Sequence, residues 1–425
     1  MSDLLVTDAQ DLNGNRIDIQ IVDGRIESTA ERGALSGTVD SEYDAGGNLV
    51  TPTFAEPHMH LDITLTAGDP RWNRSGTLSE CFDIWDEYAK TLTADDVRER
   101  AEQAIKWLVA NGATRIRTHV DVTEETHIAL DVLLELREEF AHLVDLQVVA
   151  MPTAGILTQD HHEDLLEEAL AAGADLVGGI PHYENTYLDG VKSVKILMDL
   201  AEQYECGVDV HIDEMDDPDS RFTEVLASEA LKRDIGERVT ASHVTAMHSY
   251  PNDYANQVIN LLAESGTSVI TNPLANSVLQ GWFDDYPRRR GYTRIEELQD
   301  AGVTVGIGHD SIMDMCYHYG TGDPLDAAYV LVHFAHMHAY DDVRTIWNMM
   351  TDANASIFGV DAYGLRPDDE GSLIVFDGET PFDVLRRRAP RSLVVKEGNI
   401  IARTEPATTT LTGADETEQI QFQMD

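Results

Sequence analysis

Two histidines stand in the sequence at a spacing that would let them bind one metal ion. They are His58 and His60, which follow a short apolar segment. In an extended chain, residues i and i+2 point to the same side, so both imidazoles can reach a single ion. Imidazole and carboxylate ligands without thiolate suit Zn²⁺ or Fe²⁺ with water in an open position, and coordination lowers the pKa of that water towards about 7.

Further polar residues end apolar segments later in the chain. His211 is followed three residues on by Glu214, and His243 and Asp310 each close another segment. A glutamate beside a histidine ligand is well placed to shuttle a proton. Together these are the parts of a metal-assisted hydrolase. For any one histidine taken alone, an ordinary buried position in a packed core is the alternative.

The segments that carry these residues predict an α/β fold. Amphipathic helices alternate with eight apolar stretches that we interpret as strands, namely Leu49–Phe54, Arg115–Val120, Leu146–Ala150, Leu176–Ile180, Val208–Ile212, Val239–Ser242, Ser268–Thr271 and Thr304–Ile307. Eight β-then-α units with right-handed crossovers predict a (β/α)8 TIM-like barrel. Functional residues of such barrels lie at the C-terminal ends of the strands, which is where the histidines and carboxylates fall.

Both ends of the chain have a different pattern, one of short strands and tight turns. Apolar Ile17, Ile19 and Ile21 alternate with polar residues before Asp23-Gly24, which indicates a β-hairpin. Strand-like segments with similar turns recur after residue 370. We therefore predict a small β-sandwich domain built from residues 1–50 and 366–425, and a barrel domain over residues 51–365.

The charge of the chain limits its partners. Thirty Lys and Arg residues stand against 77 Asp and Glu residues, which gives a formal net charge of −47. Nucleic acids and anionic membranes are therefore poor partners, because like charges would meet. Such self-repulsion needs strong screening, so we interpret the composition as adaptation to a salt-rich cytoplasm, as in halophiles. An ordinary acidic enzyme is the alternative.

The cysteines and the N-terminus bear on location. Cys81, Cys206 and Cys316 are few, odd in number and far apart, which argues for a reducing compartment and against a disulfide framework or a thiolate metal cluster. The first residues show no signal-peptide pattern, and no apolar run is long enough for a transmembrane helix. These features predict a soluble cytoplasmic protein.

The order of the polar residues resembles the amidohydrolase superfamily, which has HxH on strand one, histidines on strands five and six, and aspartate on strand eight. Within it, long segments between residues 50 and 320 are similar to bacterial cytosine deaminase, among them TPTFAEPHMHLD, DVHIDEMDDPDSRF, VTASHVTAMHSY, NPLANSVLQGWFDDYPRRRGYTRI and VGIGHDS. No lysine stands at the end of strand four, where relatives with two metal ions carry one, so we expect a single ion. The resemblance also favours a homo-oligomer.

The resemblance implies a role for each polar residue of the barrel. The ligands of one divalent ion, Zn²⁺ or Fe²⁺, would be His58, His60, His211 and Asp310. Asp310 would also orient the attacking water. Glu214 would be the acid and base that moves a proton from this water to a ring nitrogen, and His243 would polarise the hydroxide or hold the tetrahedral intermediate. The implied reaction converts cytosine to uracil and ammonia.

The expected substrate pocket departs from that family at three positions. Thr153 stands where a glutamine usually contacts the ring, Ser311 where a second aspartate is usual, and Cys316 where a tryptophan lines the pocket. Leu78 matches a family wall position, and His182, at the end of strand four, is a further candidate for the lining.

These departures leave the substrate open, although a neutral heterocycle fits so acidic a protein. One reading is that the chain still deaminates cytosine. The other is that it deaminates a different or 5-substituted pyrimidine-like ring, or a triazine amine. A ring-opening cyclic amidohydrolase and a binding protein that has lost catalysis are further alternatives, but the presence of every chemical residue counts against the last.

Overall fold

The structure, a computed structural model, describes residues 3–36, 39–412 and 417–423. The chain begins with a four-stranded sheet whose members are β1 (Leu4–Gln10), β2 (Arg16–Val22), β3 (Arg25–Glu31) and β4 (Ser41–Asp44). β2 pairs antiparallel with β1 and β3, and β4 lies parallel to β1. Asp23 and Gly24 adopt φ values of 49° and 79° between β2 and β3, as the predicted hairpin requires.

After β5 (Val50–Pro52), eight parallel strands form the central sheet in chain order. They are β6 (Phe54–Met59), β7 (Ala113–Asp121), β8 (Asp145–Met151), β9 (Leu176–Val177), β10 (Gly207–Ile212), β11 (Val239–His243), β12 (Ser268–Thr271) and β13 (Val305–Ile307). The segment after β13 closes the ring against β6, because the Asp310 N–H donates to the His58 carbonyl at 2.8 Å and the His60 N–H donates to the Asp310 carbonyl at 3.2 Å. The predicted barrel is confirmed.

The first barrel strand is not the one the sequence predicts. Residues 50–52 of the predicted strand Leu49–Phe54 form β5, which pairs antiparallel with β14 (Leu373–Phe376) outside the barrel. The barrel strand is β6, which contains Glu56, Pro57 and His58 and so lacks an apolar pattern. Pro57 cannot donate a ladder hydrogen bond, and the pairing of β6 with β7 shifts between Glu56 and Met59.

Helices cover the outside of the barrel and connect its strands. They are α1 (Leu78–Ala89), α2 (Ala94–Ala110), α3 (Ile128–Glu139), α4 (His162–Ala172), α5 (Tyr187–Gln203), α6 (Phe222–Arg233), α7 (Asn252–Ser265), α8 (Pro273–Leu279), α9 (Ile295–Asp300), α10 (Pro324–Phe334), α11 (Tyr340–Met350), α12 (Asp352–Ile357) and α13 (Pro381–Arg387). The apolar faces of most of these helices join the strands in one large core. Among the described residues, no helix is both long and apolar enough to cross a membrane.

The two ends of the chain meet in a small β-sandwich, as predicted. β5 and β14 form a second four-stranded sheet with β15 (Arg391–Lys396) and β16 (Asn399–Arg403). Apolar side chains of both four-stranded sheets pack together in a core of their own, in which Leu4, Ile21, Leu373 and Val395 are fully buried. The last strands, β17 (Thr409–Thr412) and β18 (Thr417–Ile420), pair with each other. The domain limits at residues 50 and 366 stay a prediction.

Helix α1 packs beside the main core rather than in it. Its apolar face joins the loop that follows Asp310 in a separate small cluster. Cys81 of α1 and Cys316 of this loop form a disulfide, with Cα atoms 5.1 Å apart. The expectation of no disulfide framework is therefore wrong for this pair, because 235 residues separate the two cysteines and they become neighbours only when the barrel closes. Cys206, the remaining cysteine of the sequence, is free and half-buried.

Candidate active site at the mouth of the barrel

Four predicted ligands converge at the C-terminal end of the barrel. Nε2 of His211 lies 3.1 Å from Nε2 of His58 and 3.0 Å from Nε2 of His60. Oδ1 of Asp310 lies 3.7 Å from Nε2 of His58 and 3.6 Å from Nε2 of His60. β6 with the residue that follows it, β10 and the turn after β13 thus bring three imidazole nitrogens and one carboxylate oxygen close together.

The spacing of these donors fits one small divalent ion. Donors about 2.0–2.1 Å from a tetrahedral zinc ion lie about 3.4 Å from one another, and the distances given above fall on either side of that value. Nδ1 of His211 has no hydrogen-bond partner among the described residues. A set of imidazoles and a carboxylate without a thiolate is the donor chemistry of Zn²⁺ and Fe²⁺ sites.

A hydrogen-bond chain fixes which nitrogen of His58 faces the other ligands. The hydroxyl of Ser242 donates its only proton to Oδ1 of Asp209 at 2.7 Å. The Ser242 oxygen can therefore only accept a hydrogen bond from Nδ1 of His58, which lies 3.1 Å away. A proton on Nδ1 leaves the Nε2 lone pair free towards the cluster. Arg117 holds Asp209 from the other side at 2.9 Å. Ligating histidines commonly have such a partner behind them.

Burial keeps the three histidines uncharged. It lowers the pKa of His58, His60 and His211 well below the ordinary value, and the charges of neighbouring histidines lower each pKa further. Only the neutral imidazole can bind a metal. The opposite holds for Asp209, where burial alone would raise the pKa, but His119, Arg117 and Ser242 together bring it below the ordinary value. The carboxylate that lies behind the histidine cluster, Asp209, is therefore ionised.

His119 and Asp121, both on β7, have different surroundings. One ring nitrogen of His119 belongs to the same group of potential metal-binding atoms as one nitrogen of each of the three histidine ligands, all within 4.8 Å of one another. Asp121 is turned to the pocket wall, where Oδ2 accepts from Nε1 of Trp85 at 2.7 Å and Oδ1 accepts from the Thr153 N–H at 3.1 Å.

Glu214 and His243 form an acid–base pair beside the cluster. Oε1 of Glu214 lies 3.3 Å from Nδ1 of His243, and the Asn276 amide donates to both atoms, at 3.1 and 3.0 Å. Burial raises the pKa of Glu214 to about 8, although the hydrogen bond from Asn276 opposes this. Burial lowers the pKa of His243 to about 3. Glu214 thus exchanges a proton near neutral pH, where a general acid and base works best.

The sequence analysis did not identify Asn276, although its spacing from Asn272 could have indicated it. Asn276 lies on α8, one helical turn after Asn272, whose amide also approaches the imidazole of His243 at 3.3 Å. Two asparagines at this spacing point to the same side of a helix. The hydrogen-bond chain from His58 through Ser242 to Asp209 was not predicted either, because it depends on how β10 and β11 align.

A small cavity of about 50 Å³ lies against the acid–base pair and the cluster. Four of the five predicted substrate-binding residues line it, namely Leu78, Thr153, Ser311 and Cys316. His182 is not among the lining residues; it is half-buried, and burial lowers its pKa to about 4. One wall comes from α1, and most of the remaining lining is apolar, which suits a neutral ring.

Comparison with known proteins gives one consistent result. The sequence pattern of the amidohydrolase family matches residues 41–402. The structure of 5-methylcytosine deaminase from Klebsiella pneumoniae, liganded with 5-fluorocytosine, is 42% identical with a TM-score of 0.92, over 95% of this chain and 98% of that one. N-isopropylammelide isopropylaminohydrolase from Burkholderia multivorans has a TM-score of 0.83 at 28% identity, over 95% and 99% of the two chains.

A protein of a Pseudomonas strain, N-isopropylammelide isopropyl amidohydrolase, is 29% identical over 395 residues, which are 91% of this chain and 94% of its own. The family match covers the whole barrel, and the histidine and carboxylate cluster lies inside the matched range. The chain therefore belongs to the amidohydrolase family and is a hydrolase that acts on carbon–nitrogen bonds.

Proposed function

We propose that this enzyme removes the exocyclic amine of a cytosine-type ring, converting 5-methylcytosine to thymine or cytosine to uracil with release of ammonia. The observation that carries the proposal is the buried Glu214, with a pKa raised to about 8, beside a neutral histidine cluster and a small, mostly apolar cavity. The similarity to the Klebsiella 5-methylcytosine deaminase supports the choice of ring.

We further propose that His58, His60, His211 and Asp310 hold one divalent ion, Zn²⁺ or Fe²⁺. When bound, the ion would lower the pKa of water and so supply hydroxide at neutral pH. Glu214 takes a proton from the attacking water and delivers it to the ring nitrogen next to the amine-bearing carbon. The second proton of that water passes by the same carboxylate to the amine, which leaves as ammonia while the carbonyl forms.

His243 and Asn276 prepare this proton transfer. His243, uncharged because its pKa is lowered to about 3, stays next to Glu214 without forming an ion pair that would hold the carboxylate ionised. In our proposal its imidazole stabilises the negative charge that develops on the attacking oxygen. Asn276 keeps the carboxylate of Glu214 in one orientation through its bond to Oε1.

The lining accounts for the proposed 5-methyl group. Ser311 and Thr153 present small hydroxyl side chains to the cavity, where cytosine deaminases are expected to carry aspartate and glutamine. A hydroxyl can still bond to the edge of a ring, and it leaves more space than a carboxylate or an amide. We infer that this space accepts a methyl group at ring carbon 5.

Ammonia release tests the proposal directly. The purified chain in molar KCl, with its metal content measured, is given cytosine, 5-methylcytosine, isocytosine, isoguanine and a triazine amine. We expect turnover of 5-methylcytosine and cytosine, abolished by Glu214→Gln and unaffected by Glu264→Gln, a matched change at an exposed position of α7. Activity that survives Glu214→Gln would contradict the role of this residue, and turnover of the triazine or isoguanine alone would contradict the choice of ring.

The charge of −47 supports two further parts of the proposal. We infer that the enzyme works in a salt-rich cytoplasm and that its partners are neutral small molecules rather than nucleic acid. We also propose, from the family resemblance alone, that it assembles as a homo-oligomer. Light scattering in molar KCl tests the assembly, and a monomeric mass would contradict it.

A further inference from the structure

We propose that the Cys81–Cys316 disulfide is a specificity-determining part of the substrate-binding wall, so that its reduction widens the range of rings that the enzyme accepts. The inference rests on the proposed deaminase function. Both cysteines line the cavity, and Cys81 is 1% exposed. The bond therefore borders the space that the substrate would occupy.

The disulfide joins two sides of the cavity that belong to distant segments of the chain. Cys81 belongs to α1, and Cys316 lies in the loop that begins with the candidate ligand Asp310. α1 packs on this loop through a small apolar cluster beside the barrel core. A covalent bond across that cluster fixes the position of α1 relative to Asp310 and its neighbour Ser311.

Polar contacts of α1 pass its position on to the rest of the lining. Nε1 of Trp85, on α1, donates to Oδ2 of Asp121 at 2.7 Å. Oδ1 of the same carboxylate accepts from the Thr153 N–H at 3.1 Å. A shift of α1 would therefore move Trp85 in the wall and also disturb the carboxylate that positions Thr153.

Reduction must move this wall for a steric reason. Sulfur atoms in a disulfide lie about 2.05 Å apart, whereas two thiols that are not bonded need a separation of more than about 3.5 Å. Because Cys81 is buried in a packed cluster, its thiol has little room to rotate, and we expect α1 or the loop of Cys316 to shift. Both segments carry lining residues, so the width of the cavity changes with the bond.

The chemical step is an ordinary exchange. Two electrons and two protons from a dithiol reductant convert the disulfide into two thiols, while the dithiol becomes a disulfide. In the test, a phosphine takes the place of the dithiol and is oxidised to its oxide with one water, so that no competing thiol is added to the metal site.

The experiment compares the metal-loaded chain before and after phosphine treatment. Alkylation of the denatured protein should find one thiol, Cys206, before treatment and three afterwards. We expect reduction to raise kcat/KM for 5-iodocytosine relative to cytosine at least fivefold. The double variant Cys81→Ser/Cys316→Ser should show the reduced ratio without treatment, and Cys206→Ser should respond as the wild type does.

Three thiols in untreated protein would overturn the proposal, and so would complete reduction without a change in the ratio. If neither form releases ammonia from any ring, the proposed function fails, and amide hydrogen exchange of residues 78–89 tests separately whether the disulfide fixes the position of α1. Faster exchange after reduction would support this role of the disulfide, whereas unchanged exchange would overturn it.

Discussion

Replacing Ser242 with alanine should weaken metal binding while the fold survives. The Ser242 hydroxyl donates to Asp209 at 2.7 Å and accepts from Nδ1 of His58 at 3.1 Å, and this fixes the proton of His58 on the side away from the cluster. Without the hydroxyl, Nδ1 loses its acceptor and the two tautomers of the ring approach each other in energy. Asp209 keeps its ion pair with Arg117 at 2.9 Å, so no buried charge is left unpaired.

The expected loss can be estimated from these contacts. Removing the partner behind a histidine ligand typically lowers metal affinity about 10- to 100-fold, which corresponds to about 1.4–2.8 kcal/mol. Removing one buried hydrogen bond lowers the free energy of unfolding by about 1 kcal/mol, against a total of about 5–15 kcal/mol for a typical domain. The variant should therefore remain folded and bind Zn²⁺ with a Kd raised about 10- to 100-fold.

A chelator competition titration in molar KCl measures the Kd, and urea unfolding of the metal-free protein measures stability. Ser193→Ala is the matched control, because Ser193 is 1% exposed and donates one hydrogen bond of 3.0 Å to the Gly190 carbonyl within α5, apart from the cluster. This control should lose comparable stability without a change in Kd. A wild-type Kd for Ser242→Ala, or an equal loss of affinity in the control, would refute the reasoning.

Four further predictions concern stability and specificity. Asp209→Ala leaves Arg117 without its carboxylate partner at a position 3% exposed, so urea unfolding should show a loss of about 3–5 kcal/mol; a loss below about 1 kcal/mol would contradict the importance of this pair. Burial raises the pKa of Asp314 to about 6, so the native state binds more protons than the unfolded state between about pH 4 and 6, and the free energy of unfolding falls as pH rises through this window. Asp314→Asn should remove up to about 3 kcal/mol of this decrease in the free energy of unfolding, and an unchanged pH dependence would contradict the raised pKa of Asp314. Ser311→Asp should lower kcat/KM for 5-methylcytosine relative to cytosine at least tenfold, whereas an unchanged ratio would place the methyl group elsewhere. Dialysis from molar KCl to low salt should unfold the chain, which carries a charge of −47, and a circular dichroism spectrum that ignores KCl would contradict adaptation to salt.

The barrel could be predicted wherever its strands are buried on both faces. β12 has the bounds that the apolar pattern predicts, because its central residues Val269 and Ile270 are apolar and fully buried. β6 breaks this rule because its interior carries the polar Glu56 and His58, which the site requires. The prediction therefore failed at the strand where function overrides the apolar pattern.

Contacts between neighbouring strands limit how much of the site can be predicted from the sequence. His211 and Asp209 are two residues apart on β10, so their side chains lie on the same face and could have been considered together. Ser242 pairs in register with His211, and this register depends on how β10 and β11 align in the closed barrel. Local sequence does not contain that alignment, nor the proximity of Cys81 to Cys316, which lie 235 residues apart.

The closure of the barrel and the proposed metal site use the same residues. The backbone of Asp310 bonds to that of His58 and His60 where the last strand meets the first, and the side chains of these three residues are proposed ligands. An ion held there would bind the native ring and not the unfolded chain, so it would stabilise the fold according to its concentration relative to its Kd. Substitutions at this junction of the first and last strands would then weaken metal binding and stability together.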